Sequence, residues 1–521
     1  MRSFLLLISL FLGTAFAADN HLVRGNFLEP ESLDPHASRG VEAANILRDI
    51  YEGLVRTGAD GRILPGVAER WQVSNDALEW RFELREDAAW SDGTPLTAED
   101  FVYSLRRTLS PETASPFADN LVAIENAQEV LAAEKPASAL GVVAVNDHEL
   151  LVRLDRPLPY LLSLLAHHST YPVHRESIEE HGSRFPQPGR HLSNGAYRLV
   201  EWSVNERIRL ERNPHYWDAE AVRIDSVDYL PIDDEESEFN RYRAGELDIT
   251  QTVPARRVAD LRESMPDELH IAPYLSTYFY GFNLARQPFA DNPELRRALS
   301  LVIDRDIIAG KVMVAGELPA TALNPPGIED YIAPTVEYAN RDMAARIAEA
   351  KQLYRDAGYG PDKPLQIELR FNTGDNHRRV ALAVSSLWRQ HLGVETRLVN
   401  EEWKVFLQNR KAGEVTQVFR SSWVGDFNDP MTFLHLLESG NAFNDTGYAN
   451  PEYDELLARA ATAATPSKRR RLLQEAEAVM LADQPILPLY YYVTKHLVKP
   501  RVGGWQDNIM DQHATRDLYL K

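Results

Sequence analysis

A strand–helix–strand pattern between residues 365 and 398 constrains the fold of this chain more than any other part of the sequence. Apolar residues alternate with polar ones over 365–371, which is typical of a half-buried strand. Apolar residues at helical spacing follow over 380–392, Gly393 ends that helix, and the alternation returns over 394–398. The strands of such a βαβ unit are parallel, so the sequence predicts an α/β fold.

Two candidate carboxylate-binding residues follow from this unit. In parallel sheets, ligands bind beyond the carboxyl ends of the strands. His377 lies there, in the first turn of the predicted helix, where free backbone N–H groups favour an anion. A further strand is predicted over 415–419, with Arg420 at its end. If these strands are parallel, we expect Arg420 and His377 to share one edge of the sheet and to hold one carboxylate.

The stretch 420–430 combines the charges and the aromatic surface that suit a small zwitterion such as a peptide. It supplies a cation at Arg420, an aromatic ring at Trp423 and an anion at Asp426. The chain has no His-Glu-x-x-His motif, no Gly-x-Ser-x-Gly motif and no cysteine. The sequence therefore predicts a binding protein and not an enzyme. A secreted hydrolase with paired carboxylates is the enzymatic alternative, because acidic residues are abundant.

The first seventeen residues have the features of a cleavable signal peptide. Arg2 provides a positive charge, residues 4–12 form an apolar segment too short to span a bilayer, and Ala15-Phe-Ala17 is a small-residue cleavage site. A buried N-terminal helix is the alternative. Since no cysteine is present to carry a lipid anchor, we expect a soluble periplasmic protein. The net charge of −21 argues against nucleic acid and anionic membranes as partners.

Local patterns elsewhere predict elements of both types. Residues 80–84 and 197–201 alternate as strands do. Residues 97–100 have the form of a capping box, which predicts that a helix begins there. Apolar residues at helical spacing over 343–354 predict another helix, which ends at Gly358. No internal repeat or low-complexity linker separates these elements, so we expect interwoven domains.

Short motifs spread along the chain carry a resemblance to one family. They are Ser-Leu-Asp-Pro-His at 32–36, Tyr-Glu-Gly-Leu at 51–54, Pro-Gly-Val-Ala at 65–68, Phe-Glu-Leu-Arg at 82–85, Trp-Ser-Asp-Gly at 90–93, Thr-Ala-Glu-Asp-Phe at 97–101, Asn-Gly-Ala-Tyr at 194–197 and Asn-Pro-His-Tyr-Trp at 213–217. In these motifs, the chain resembles the extracellular solute-binding proteins of peptide ABC transporters, and most closely the periplasmic oligopeptide-binding proteins. The resemblance runs from about Leu22 to the C-terminus.

The resemblance implies a two-lobed periplasmic-binding-protein-like fold with an additional α+β domain and a hinge between the lobes. The implied parts are a signal peptide at 1–17, lobe I at 18–50, 175–275 and 493–521, the additional domain at 51–174 and lobe II at 276–492. The lobes are expected to close on a short peptide and to present it to a membrane permease with ATPase subunits. The implied protein is a monomer without a cofactor or a metal.

The resemblance also assigns roles to the charged residues of the site. Asp426 matches the acceptor of a peptide's α-ammonium group. Arg420 and His377 match the groups that bind its C-terminal carboxylate, a task that suits the planar guanidinium of arginine. Without the resemblance, Asp426 also fits an ordinary turn, and His377 a helix cap or surface position.

The remaining assigned residues concern the side chains and the backbone of the ligand. Trp403 and Trp423 match walls of side-chain pockets, although either could belong to the core. Segments that pair with the ligand backbone as added strands are implied at Ser421 to Gly425 and around Gly40 and Val41. Arg39 is a further candidate, whose positive charge suits ligands with extra carboxylates. Such main-chain pairing gives affinity without reading sequence, so we expect broad specificity.

Five positions depart from the best-known oligopeptide-binding pattern. Met313 stands where a lysine assists with the carboxylate. Arg39 and Gly281 replace acidic residues, and Ser276 and Val424 stand where two cysteines would pair. The missing lysine and cysteines also resemble the murein-tripeptide-binding branch, so murein peptide is an alternative ligand.

Other solutes of the same fold form a second set of alternatives. A dipeptide, nickel or haem carrier is a closer alternative than any enzyme. The histidines at 167, 168 and 174 provide the residue type that a metal would need, but no metal site is expected there.

Overall fold

The computed structural model describes residues 20–414, 416–463 and 465–521. The predicted signal peptide lies outside the described residues, as does Val415, the first residue of the predicted strand 415–419. Within the described residues, no helix is long and apolar enough to cross a membrane. Strands and helices occur together along the described chain, as expected for a mixed α/β protein.

In chain order, the strands of the described residues are β1 (His21–Gly25), β2 (Val55–Thr57), β3 (Ile63–Pro65), β4 (Ala68–Val73), β5 (Glu79–Leu84), β6 (Val142–Asn146), β7 (Glu149–Arg153), β8 (Tyr197–Ser203), β9 (Arg207–Arg212), β10 (Ser226–Leu230), β11 (Leu269–Phe282), β12 (Leu318–Pro319), β13 (Gln366–Asn372), β14 (Glu395–Glu401), β15 (Val418–Val424), β16 (Ile486–Leu497), β17 (Val502–Gly503) and β18 (Tyr519–Leu520). The α-helices are α1 (Val41–Ile50), α2 (Ala98–Thr108), α3 (Ala127–Leu131), α4 (Leu161–Leu165), α5 (Arg175–His181), α6 (Glu235–Ala244), α7 (Val258–Ser264), α8 (Pro293–Leu301), α9 (Arg305–Ile307), α10 (Met343–Asp356), α11 (Asp375–Leu392), α12 (Trp403–Ala412), α13 (Met431–Leu434), α14 (Pro451–Ala461) and α15 (Pro466–Asp483).

The first lobe is built on a four-stranded sheet in the order β1-β10-β9-β8. β1 is parallel to β10, whereas β10, β9 and β8 are antiparallel neighbours. The strand predicted over 197–201 is confirmed as β8, in which Tyr197 and Leu199 are buried. Helix α1 follows β1 in this lobe and begins at Val41, one of the predicted site residues.

The additional domain contains an antiparallel sheet in the order β4-β5-β7-β6. Trp80, Phe82 and Leu84 of β5 are buried while the residues between them are not, which confirms the predicted alternation. The predicted capping box also forms at the start of α2, where the Thr97 amide donates to the Asp100 carboxylate at 2.8 Å. Local sequence signals therefore determine these elements directly.

The second lobe is built on a six-stranded sheet in the order β12-β16-β11-β15-β13-β14. β13 is parallel to both β14 and β15, which confirms the predicted βαβ unit. Helix α11 packs Val380, Val384 and Trp388 into the core and ends at Gly393, whose φ of 77° is left-handed. The predicted helix over 343–354 is confirmed as α10.

Two long antiparallel strands connect the lobes. β11 and β16 pair over Leu269–Pro273 with Val493–Leu497, and again over Thr277–Gly281 with Ile486–Tyr491. The register shifts between these two stretches. Beyond the first stretch, Val498 bridges to Ile249 of the first lobe, whereas the second stretch lies inside the six-stranded sheet. The register shift therefore lies where the chain passes from one lobe to the other.

The hydrophobic cores do not coincide one to one with the implied lobes and additional domain. One core joins Leu22 and Leu47 of the first lobe to Phe82 and Phe101 of the additional domain. A separate core fills the second lobe. Because the first lobe and the additional domain share their core, the implied domain boundaries stay a prediction.

Candidate ligand-binding site

Arg420 is the third residue of β15 and not the residue after its end. The predicted strand 415–419 was wrong in its bounds, because β15 runs over Val418–Val424 opposite Ser276–Phe282 of β11. Arg420 is buried, with 8% of its surface exposed to solvent. The side chain therefore projects from within a paired strand.

The guanidinium of Arg420 is surrounded by hydroxyl groups and an aromatic ring. Its Nη2 donates to the hydroxyls of Ser422 at 2.8 Å and Tyr492 at 3.3 Å. Its carbon lies 5.0 Å from the centroid of the Tyr278 ring, and its Nε has no hydrogen-bond partner in the described structure. No carboxylate of the described residues lies within ion-pair distance. A buried cation in this setting favours binding of an anion.

His377 lies beside Arg420, as expected from the parallel strands. Its Nδ1 is 3.3 Å from the Tyr278 hydroxyl, and the two rings stack with centroids 5.7 Å apart. Burial, and next the nearby Arg420 guanidinium, lower the pKa of His377 to about 4. The imidazole is therefore neutral near pH 7 and can offer a carboxylate a hydrogen bond but no charge.

Asp426 follows β15 and presents a free carboxylate. The side chain is exposed, and its carboxylate oxygens have no hydrogen-bond or ion-pair partner among the described residues. The surrounding protein nevertheless removes enough water to raise the pKa of Asp426 to about 6. A cation that reached this carboxylate would therefore favour its ionised form.

The backbone on both sides of Asp426 is held in place. The Gly425 amide donates to the Leu275 carbonyl at 2.7 Å, and the Asp426 amide donates to the Thr432 hydroxyl at 3.0 Å. A Cβ at Gly425 would overlap the Leu275 side chain. Phe427 stacks on Tyr160 of the additional domain, with centroids 4.5 Å apart and planes inclined by 6°. The loop is thus fixed while the carboxylate stays available.

One edge of β15 is free next to these groups. β15 pairs with β11 along its whole length but with β13 only at Val418 and Phe419. From Arg420 to Val424, no other strand of the described residues pairs with this edge. Ser421 lies in this part, and the Arg410 Nη1 donates to its hydroxyl at 3.4 Å. A free edge of this kind can accept an extended peptide as an added strand.

The two predicted pocket tryptophans differ in their surroundings. Trp423 is half-buried, donates to the Thr432 hydroxyl at 3.4 Å and meets the ring of Phe443, which is 60% exposed. Trp403 begins α12, is 46% exposed and stacks on Phe406. Trp403 is therefore not a core residue, and both indoles present apolar surface to solvent.

The predicted residues of the first lobe lie at the start of α1. Gly40 has a φ of 87° and precedes the exposed Val41, and Arg39 is also exposed. Within the described residues, no hydrogen bond or ion pair joins these three to Asp426 or Arg420. The structure therefore brings together the predicted residues of β15, the following loop and α11. It does not join them to the predicted residues of the first lobe.

Tyr278, Tyr492 and Arg410 are site residues that sequence reasoning missed. Tyr278 and Tyr492 lie on β11 and β16, and both contact the Arg420 guanidinium. Arg410 is partly buried on α12 and forms an ion pair with Asp445 at 2.7 Å. Alternating tyrosines at 278 and 280 and at 490 and 492 were the available signal, since such spacing places rings on one face of a strand.

Four of the residues that depart from the oligopeptide-binding pattern lie in the second lobe, and the structure shows their surroundings. Met313 is buried in the core of that lobe. Gly281 faces the Phe419 ring, so no side chain fits there without displacement of that ring. Ser276 and Val424 are cross-strand neighbours, as expected for positions where two cysteines would pair.

Comparison with known proteins gives consistent matches over nearly the whole chain. The family model described as bacterial extracellular solute-binding proteins, family 5 Middle, matches residues 62–445. The periplasmic oligopeptide-binding protein OppA of Escherichia coli (strain K12) is 44% identical over 512 residues, which cover 98% of this chain and 94% of the relative.

Two solved structures are similar in fold. The unliganded open form of MppA, a periplasmic murein tripeptide-binding protein, has a TM-score of 0.89 at 39% identity, with coverage of 97% of this chain and 98% of that one. Haemophilus influenzae OppA in complex with the peptide RPPGFSPFR has a TM-score of 0.77 at 36% identity, with coverage of 97% and 99%. Of these two structures, the unliganded open form superposes more closely on this chain.

Proposed function

The chain belongs to the bacterial extracellular solute-binding proteins of family 5, and on that premise we propose that it is the peptide-binding component of an ABC importer. It captures short oligopeptides in the cleft between its lobes and delivers them to a membrane permease with ATPase subunits. It acts in the periplasm after export, as a monomer, and does not turn over its ligand. A relative of 44% identity is a periplasmic oligopeptide-binding protein, which supports this proposal.

The observation that carries this proposal is a separated pair of unpartnered charges. Arg420 lacks a carboxylate partner and Asp426 lacks a cationic partner among the described residues. The free edge of β15 lies between them. An extended peptide presents an ammonium group at one end, a carboxylate at the other and backbone hydrogen-bonding groups between, so it matches all three features.

The spacing of the two charges favours short peptides. Asp426 lies six positions after Arg420 along the chain, which is at most about 20 Å in an extended strand. The side chains of both residues take up part of this distance, so an extended peptide of about three to five residues spans it. In this arrangement Asp426 binds the α-ammonium, and Arg420 with neutral His377 binds the carboxylate.

The two charged residues and the free edge of β15 also discriminate between the alternative ligands. A murein peptide also carries a free ammonium and carboxylates, so it is the second candidate, favoured by the similarity to a murein tripeptide-binding protein. Nickel or haem would leave the free edge of β15 without a role.

The test is calorimetric titration of ligand-free protein with a tripeptide that has free ends, its N-acetylated form and its C-amidated form. Each modification should weaken binding by about tenfold to a hundredfold, because hydrogen bonds to charged groups contribute about 1.5–3 kcal/mol each. N-acetylation should matter in the wild type but not in Asp426→Asn, and C-amidation should matter in the wild type but not in Arg420→Met.

The surface variant Arg389→Met is the control and should behave as the wild type. Equal affinity for free and blocked peptides in the wild type would contradict the proposal. Mass spectrometry of the titrated peptide would reveal cleavage, and a murein tripeptide in the same series would show which peptide class binds more tightly.

A further inference from the structure

A second group of titratable side chains lies outside the cleft, near the first-lobe end of the crossing strands. His496 lies on β16, and Asp511 and His513 lie on the C-terminal segment between β17 and β18. The Asp511 Oδ1 is 2.7 Å from the His496 Nε2 and 3.2 Å from the His513 Nε2. Three atoms that are able to bind a metal therefore converge within 4.8 Å of one another.

The surrounding residues orient both imidazoles toward this point. The His496 Nδ1 is 3.0 Å from the Thr250 carbonyl and must donate to it, which leaves Nε2 facing Asp511. The Trp505 ring stacks on His513 with centroids 3.7 Å apart and planes inclined by 18°. A backbone carbonyl on the second nitrogen of a ligating histidine is a common feature of metal sites, because it sets the tautomer and the ring direction.

The group is buried but reachable. The side chains of His496, Asp511 and His513 are 5%, 15% and 7% exposed. Arg24, a neighbouring basic side chain, donates to the His513 carbonyl at 2.7 Å and not to the Asp511 carboxylate. Asp511 is thus the anion of the group, and its partial exposure provides a path from solvent.

The other histidine group in the chain does not have this geometry. His167 and His174 cap short helices, because their Nδ1 atoms accept hydrogen bonds from the backbone amides of Ser169 and Ser177. His168 packs against the His167 ring with centroids 4.1 Å apart. In the described part of the chain, only His496, Asp511 and His513 bring three metal-ligating atoms together.

We propose that His496 Nε2, His513 Nε2 and a carboxylate oxygen of Asp511 bind one zinc ion, with water in the fourth position. Zinc accepts two histidines and one carboxylate at about 2.0–2.2 Å, so its ligand atoms are about 3.3 Å apart in a tetrahedron. The separations of 2.7 and 3.2 Å from the Asp511 oxygen need only a small expansion, and the two Nε2 atoms lie within 4.8 Å of each other. The ion replaces the proton that His496 and Asp511 now share, and it ties β16 to the C-terminal segment.

This site is independent of the proposed peptide site. None of its three ligands contacts Arg420, His377 or Asp426 in the described structure. Zinc binding should therefore occur without peptide, and loss of zinc should leave the peptide contacts of the second lobe in place. The two proposals can fail separately.

The experiment uses tag-free protein that is treated with EDTA, desalted and titrated with zinc chloride near neutral pH. We expect one zinc ion per chain, retained through gel filtration and measured by elemental analysis, and a higher Tm in the zinc-bound form. Cobalt substituted for zinc should give visible absorption bands typical of tetrahedral coordination by nitrogen and oxygen.

His513→Phe removes a ligand but keeps the ring that stacks on Trp505, and Asp511→Asn removes the anion at constant size. Each should lose more than about a hundredfold in zinc affinity, since even outer-shell changes lose 10–100-fold. The matched control is His270→Phe, which also lies beside Trp505 and pairs with Asp507. It should retain zinc.

Several outcomes would overturn the proposal. They are substoichiometric zinc in the wild type, unchanged zinc affinity in both ligand variants, or loss of zinc in His270→Phe as well. Circular dichroism and peptide titration of each variant distinguish a lost ligand from a lost fold.

Discussion

Among the described residues, Arg420 meets hydroxyl groups and an aromatic ring but no carboxylate, so its buried charge is incompletely compensated. Arg370 on the neighbouring strand β13 provides the contrast. It is buried to a similar extent, but its guanidinium donates to Glu368 at 2.8 Å and also to Glu401. Breaking a pair such as that of Arg370 is costly, whereas Arg420 has no pair to lose until a ligand arrives. Arg370 thus serves the structure, whereas Arg420, which is buried to a similar extent, is suited to binding a ligand.

The ionisation of Asp426 should make peptide affinity depend on pH. In the free protein the pKa of Asp426 is about 6, above its usual value, because the surrounding protein disfavours the anion. The α-ammonium of a peptide requires the ionised carboxylate, so the carboxyl must lose its proton before it binds. Affinity should therefore be highest near pH 7 and fall about tenfold per pH unit below pH 6. It should fall again above about pH 8, where the α-ammonium itself loses its proton. Calorimetric Kd values across this range provide the measurement.

His377 should not contribute a second transition in this range, because its pKa of about 4 keeps it neutral. Asp426→Asn should bind weakly and show no pH dependence between pH 5 and 8. A wild-type profile that is flat from pH 7 to 5, or an unchanged profile in Asp426→Asn, would contradict this assignment. For stability the sign is opposite: since the folded pKa is raised, the ionised carboxyl destabilises the free protein at neutral pH, and this effect disappears as pH falls toward 4.

At the scale of elements, local patterns sufficed where a single strand or helix carries its own signal. The alternation of 80–84, the capping box before α2 and the βαβ unit around α11 were all predicted from adjacent residues. Strand β15 was misplaced because its sequence, Val-Phe-Arg-Ser-Ser-Trp-Val, does not alternate. Its bounds are determined by pairing with β11, more than 130 residues earlier in the chain, which no local pattern reports.

The candidate site was also predicted from the sequence only in part. The neighbourhood of Arg420 and His377 followed from the topology of parallel strands. The hydroxyl groups around Arg420 did not, because Tyr278 and Tyr492 come from the crossing strands. Side-chain surroundings of this kind depend on the register shift in β11, and register is a tertiary property.

The close packing of the turn after β15 leads to a prediction for Gly425. Gly425→Ala places a methyl group against the side chains of Leu275 and Thr432, so these side chains or the backbone of the turn must shift. Overpacking of this kind costs about 1–3 kcal/mol. Because Asp426 is the next residue, we expect peptide affinity to fall by about tenfold or more, with a smaller change in Tm. Titration and thermal melting measure the two effects.

Gly310→Ala is the matched control, since a Cβ there meets no atom within 4 Å. It should change neither affinity nor Tm appreciably. Wild-type affinity in Gly425→Ala would show that the turn tolerates displacement and that the position of Asp426 is not critical. Loss of affinity in both variants would point to a general effect of the substitution.

At the scale of the whole molecule, the chain superposes more closely on an unliganded open relative than on the peptide complex of another relative, with TM-scores of 0.89 and 0.77. Two strands, β11 and β16, connect the lobes, and their register shifts twice, between Pro273 and Thr277 and between Tyr278 and Phe279. The additional domain touches the second lobe through Tyr160 and Phe427, next to Asp426. A ligand on Asp426 therefore lies beside this contact between the additional domain and the second lobe.

A cavity of about 950 Å³ between the lobes has charged walls. Acidic residues from Asp233 to Glu236, beside Arg256 and Lys495, line it on the first lobe, and Arg378 and Arg379 of α11, beside Glu317 and Asp375, line it on the second lobe. Hinge closure brings Arg378 and Arg379 toward the acidic residues, so this attraction should favour the closed state. A protein that closes more readily binds its ligand more tightly, because less free energy is spent on the conformational change.

We therefore predict that Arg379→Glu weakens peptide binding although Arg379 is not among the proposed peptide contacts. The effect should be about tenfold at low ionic strength and should vanish near 1 M salt, where the Debye length is about 3 Å. Arg389→Glu, at the other end of α11, makes the same change in net charge and should leave affinity unaltered. Small-angle scattering should show that saturating peptide compacts the wild type and Arg379→Glu equally, since the closed state itself is unchanged. Equal Kd values for Arg379→Glu and Arg389→Glu at low salt would refute a contribution of these charges to closure.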